Sequence, residues 1–141
     1  MLPTELEKIG PIPKEVIKKF NTLHEILKED YKLEDGSKAF CDFIALDLAS
    51  SLFYAGMKPS LIEIENNSNE TSKSPNPITP QIFNGRKVWY RHSVCINDGI
   101  VFDPMLEKPI PIDDYMSTAF NEPVTFVEIA SPLQIAEFFE G

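Results

Sequence analysis

Two short apolar runs, HSVCI at residues 92–96 and IVF at residues 100–102, are separated by Asn97-Asp98-Gly99. A two-residue type I′ loop needs positive φ at both central positions, which Asn, Asp and Gly accept, so this tripeptide is a hairpin signal that restricts the fold on its own. With Asp98-Gly99 as the loop, Ile96 opposes Val101 and Val94 opposes Asp103. Asp103 then shares a face with His92 as its diagonal neighbour, at a Cβ separation of about 7–8 Å or somewhat less, within reach of a carboxylate–imidazole hydrogen bond. A three-residue loop would set His92 against Pro104 and turn Asp103 away, because a one-residue slip inverts every side chain. The same parity sends Cys95 to the face opposite His92, against a metal pair made of those two.

The remaining pattern divides into helices first and strands later. Val16, Phe20, Leu23 and Leu27 repeat at helical spacing within Pro13–Tyr31, with lysines and glutamates on the other face, and predict an amphipathic helix. Ala39–Ala55 is apolar on nearly every side, interrupted by Asp42 and Asp47, and predicts a helix buried in the middle of the domain. Ser37 suits its N-cap, Gly56 a left-handed C-cap, and Pro59 stops continuation. Segments 60–65, 87–96, 100–103 and 124–129 have strand character, residues 112–120 suit a short helix, and Ser131-Pro132 marks the start of a terminal one. The run NNSNETSKSPNPITPQ at residues 66–81 predicts a long surface loop. The expected fold class is α+β: N-terminal helices, with a buried Cys-bearing helix packed on a small antiparallel sheet. At 141 residues the chain suits one domain, 1–141, able to bury about two-thirds of its unfolded surface.

Charge narrows the function classes. Thirteen basic against 22 acidic residues leave a net charge of −9, which repels a phosphate backbone and offers no counterion release, so nucleic acid and anionic membrane surfaces are not expected partners. The N-terminus lacks the basic-then-apolar layout of a secretory signal, and no apolar run approaches the roughly 18 residues that span a bilayer, so a cytoplasmic protein is expected. The sequons at Asn66 and Asn69 are then polar loop residues, and a disulfide between Cys41 and Cys95 is disfavoured.

Three residues carry candidate chemistry. Cys41 falls in the first turn of the second helix, where unpaired N–H groups and the helix dipole favour thiolate; the same position also suits plain core filling. His92, held by a strand, has the rigidity a general base requires, and Asp103 would fix its tautomer. Cys95 is expected to be a buried strand residue and His24 a helix-surface residue. Two Cys and two His in the whole chain give no recognisable zinc pattern, so neither metal nor cofactor is expected.

A Cys at the start of an apolar helix, FCDFIALDLASSLFYAG, followed by His and Asp within RHSVCINDGIVFDP, resembles the papain-like cysteine peptidase superfamily. Within it the chain is most similar to compact bacterial papain-fold toxin and protein-deamidase domains, over roughly residues 35–115. The resemblance implies a papain-like fold with Cys41 as nucleophile, His92 as general base and acid, and Asp103 as the orienting residue. One position departs: the papain family proper has a Gln six residues before its Cys, and here that residue is Asp35. An ionised carboxylate only accepts hydrogen bonds and cannot stabilise an oxyanion. Backbone N–H groups with another donor would have to serve, with Ser37, Gln81 and Asn84 as side-chain candidates; otherwise the domain is catalytically weak.

The expected function is cysteine-dependent acyl transfer of peptidase, amidase or glutamine-deamidase type, on a protein or peptide substrate. The alternative is a non-catalytic acidic binding module of immunity or adaptor type, or an inactive papain-like fold. Under it Cys41 is core and His92–Asp103 a structural hydrogen bond. The oligomeric state is not written in the sequence.

Overall fold

The computed structural model describes residues 12–30, 41–66, 76–84 and 87–140. Helices α1 (Lys14–Asp30) and α2 (Cys41–Tyr54) precede strand β1 (Ser60–Glu65). After a short 3₁₀ turn (Gln81–Phe83) come β2 (His92–Asn97), β3 (Ile100–Phe102), β4 (Ile110–Pro111), α3 (Ile112–Thr118), β5 (Thr125–Ala130) and α4 (Pro132–Glu140). The strands form one sheet in the order β4-β3-β2-β1-β5 with every neighbour antiparallel, so the fold class is α+β.

Local chemistry explains the elements. In α1 the predicted stripe buries Val16, Phe20 and Leu27. Helix α2 ends at Gly56, whose φ of +90° is the left-handed conformation that glycine adopts without a Cβ penalty. There the Met57 N–H donates to the Leu52 carbonyl at 3.0 Å and the Gly56 N–H to the Phe53 carbonyl at 3.0 Å, satisfying two carbonyls of the last turn in a Schellman motif. At the start of α4 the Ser131 hydroxyl accepts from the Gln134 N–H at 3.1 Å, while the Gln134 side chain accepts from the Ser131 N–H at 2.8 Å: a capping box. Between β2 and β3, Asp98 and Gly99 both have positive φ, 52° and 77°, as a type I′ loop requires.

Side chains alternate across the sheet and build two cores. One face, with Ile62, Ile64, Val94 and Val101, is covered by Tyr115 of α3 and by Ile78, Phe83, Ala119 and Phe120. The other, with Cys95, Ile100 and Phe102, packs against Val16 and Phe20 of α1, Leu48, Ala49 and Leu52 of α2, and Ile135 of α4. Strand β2, between β1 and β3, is covered on both sides, which is why HSVCI carries no simple polar–apolar alternation. Burial of each large aliphatic here is worth about 1.5–3 kcal/mol against exposure.

Several expectations change. Helix α2 is not buried all round: Ala45, Leu48, Ala49 and Leu52 face the core, whereas Phe43 and Tyr54 are 70% and 69% exposed. Its Asp47 is paired at 3.1 Å with Lys19 of α1, so that interruption of the apolar pattern marks a half-exposed helix–helix seam. The expected surface loop 66–81 lies in part outside the described residues, and its described ends are structural. Asn66 pairs with Asn76, Ile78 with Trp89 and Pro80 with Phe120 in isolated bridges, and Ile78 is completely buried. Glu122 clamps this segment, accepting from the Thr79 N–H at 2.7 Å and the Thr79 hydroxyl at 2.8 Å. The expected strand 87–96 begins only at His92, because Trp89 bonds to Ile78 outside the sheet. Strand β4, two residues long, is too short to leave a sequence pattern. Ser37 and Asp35 lie outside the described residues. Among the described residues no helix is long and apolar enough to cross a membrane.

Candidate active site

The β2–β3 ladder pairs Cys95 with Phe102, Ile96 with Val101 and Asn97 with Ile100, the register of a two-residue loop. Continued past the end of β3, that register brings Asp103 diagonally to His92, and their side chains meet: His92 Nε2 lies 2.9 Å from Asp103 Oδ2. Both residues are nearly sealed from solvent, at 4% and 3% exposure. A carboxylate only accepts, so the bridging proton belongs to Nε2, and Nδ1 is the basic nitrogen of the neutral ring.

Other groups hold the pair in place. The Tyr115 hydroxyl donates to Asp103 Oδ2 at 2.7 Å, and the Met105 N–H donates to Oδ1 at 3.0 Å. Trp89 stacks on the His92 ring with centroids 4.6 Å apart and planes 21° off parallel, and Phe120 meets it edge-on at 6.2 Å. Burial on its own pushes the Asp103 carboxyl up; the facing His92, through its charge and its hydrogen bond, together with Tyr115 and the Met105 N–H, outweighs that and holds the carboxyl below its ordinary value. Tyr115 is a site residue the sequence does not announce, since only the docking of α3 on the sheet brings it to Asp103.

Cys41 is the first residue of α2, and its side chain lies outside the described residues. The start of α2 nonetheless approaches the pair: Ile44 and Ala45 line the same 10 Å³ void as His92, Ser93 and Asp103. That void holds no more than about one water. Cys95 is completely buried on the opposite face, and burial pushes its thiol far up, leaving it protonated and inert.

The remaining candidates fall elsewhere. Gln81 commits its side-chain amide to the Phe120 carbonyl at 3.0 Å, and Asn84 is exposed in a left-handed conformation with φ 50°. His24 is partly buried rather than a plain surface residue: its Nδ1 donates to the Pro104 carbonyl at 2.7 Å, tying α1 to the residue after Asp103. Among the described residues, no three His, Cys, Asp or Glu side chains gather where they could hold a metal ion. Comparison of the chain with protein-family models, curated proteins and solved structures finds no match.

Proposed function

We propose that the chain is a cysteine-dependent acyl-transfer enzyme of papain-like type, with Cys41 as nucleophile, His92 as general base and acid, and Asp103 as the positioning residue. The observation that carries this reading is the buried His92–Asp103 hydrogen bond, 2.9 Å long, beside the opening turns of the helix that Cys41 begins. In the proposed reaction His92 Nδ1 takes the Cys41 proton, the thiolate forms a C–S bond to an amide carbonyl, and the imidazolium returns the proton to the departing amine. Water then adds to the thioester, with His92 again as base; the acid leaves and the thiol is restored. Asp103 keeps Nε2 protonated throughout and balances the imidazolium charge, the part a buried carboxylate plays in such sites. The expected substrate is a protein or peptide amide.

A second reading, an acidic binding module in which His92–Asp103 is purely structural, draws on a specific feature. Asp103 is saturated by three donors and His92 is roofed by Trp89, as a packed core requires. The two readings differ at Cys41. Site-resolved iodoacetamide alkylation of the folded protein across pH, with Cys95 as internal control, should find Cys41 reactive well below the ordinary thiol value of about 8.5, and His92→Ala should move that profile upward. A Cys41 that titrates ordinarily, with a profile indifferent to His92, sinks the catalytic reading and leaves the binding module.

A further inference from the structure

The two edges of the sheet are built differently. Strand β4 is two residues long, with Pro109 before it and Pro111 within it, the short, proline-bearing build that keeps an edge from pairing with another chain. Strand β5, at the other edge, runs for six residues, TFVEIA, without a proline or a lysine. Its register with β1 is regular from Thr125 to Glu128. Half of its backbone N–H and C=O groups point away from β1, and across Phe126–Ile129 no strand among the described residues receives them. Neither face of the strand is covered: Phe126, Val127, Glu128 and Ile129 are all exposed. Phe126 and Glu128 share the face of Ile64 and Ile62, and Thr125 and Val127 that of Glu65 and Glu63.

We infer that the outer edge of β5 docks an extended, basic segment of a protein partner by strand addition, with a lysine or arginine of that segment against Glu128 and apolar side chains beside Val127. In such docking the main-chain bonds supply affinity and the alternating side chains supply specificity. Glu128 is the one charged residue of the strand, Glu63 and Glu65 lie in the strand behind it, and the chain carries a net charge of −9, so the strip favours a cationic segment. A second copy of the chain fits less well. It would bring another charge of −9 to a strand that offers no cation, and an edge of six residues, about 20 Å long, is a strip well short of the roughly 800 Å² per partner of a stable dimer. The surface does not rest on the catalytic reading. Phe126, Ile64 and His92 lie in one row across the sheet, so an added strand sits three strand spacings, about 14 Å, from β2.

The probe is acetyl-KVTVKV-amide, which as a strand presents lysines on one face and valines on the other, titrated into isotope-labelled protein and followed by amide chemical shifts. It should bind with a Kd of about 1 mM or tighter, with shift changes centred on Phe126–Ile129 and sparing β4. The same peptide N-methylated at its two central residues can pair along neither of its edges and should not bind. Acetyl-EVTVEV-amide should bind at least about tenfold more weakly than the lysine peptide, and Glu128→Lys, at an exposed position, should reverse that preference. Absence of shift changes in β5, binding that survives N-methylation, or a lysine preference untouched by Glu128→Lys would each overturn the assignment. So would a free protein that sediments as a dimer paired through β5.

Discussion

Asp103 is a residue on which stability and proposed chemistry meet. Three donors converge on its carboxylate and hold its pKa below that of the unfolded chain, whose value is about 3.9. A depressed native pKa means the ionised form is the one the fold favours. Its contribution is present above the unfolded value and is lost as pH falls below about 4 toward the native one. Asp103→Asn should therefore cost about 1–3 kcal/mol in urea unfolding at pH 7, and the gap from wild type should shrink at pH 3. A gap of constant size across that range would mean that only shape, not charge, matters at residue 103. The His92–Asp103 contact was legible in the sequence because it follows from one local rule, the positive φ of Asp98 and Gly99. Tyr115 was not, because nothing in the chain near residue 115 records which buried acceptor its helix will meet.

Among the elements, the caps are the features sequence describes best. Gly56 and Ser131 were both readable because capping is a short-range contest for a few unpaired backbone groups. Gly56 offers a clean measure: a Cβ built there meets nothing within 4 Å, so Gly56→Ala introduces backbone strain without a clash. The expected cost is about 1–2 kcal/mol, measured by urea denaturation with an unchanged m-value. A neutral substitution would show that the last turn of α2 re-forms without the left-handed residue. The extent of α2 burial was less legible. Composition counts Phe43 and Tyr54 as apolar without saying that they lie on the solvent side, whereas the Lys19–Asp47 pair marks the seam only once both helices are placed.

For the molecule as a whole, the sheet divides the chain into two chemistries. One face is a closed core of α1, α2 and α4 with Cys95 sealed inside it; the other carries His92, Asp103 and Tyr115. Ile78 shows why the arrangement was only partly visible beforehand. Within a polar, proline-rich run it resembles a loop residue, yet its bonds to Trp89 fold it completely inside and place the indole over His92. The sheet also ends abruptly. Among the described residues, strand β5 pairs only with β1, and Phe126, Val127 and Ile129 each remain about 45% exposed along it. In deuterated water the amides of β5 should consequently divide into two sets. Those directed at β1 should exchange slowly and those directed outward should exchange within the dead time, alternating residue by residue, while both neighbours of β2 keep its amides uniformly slow.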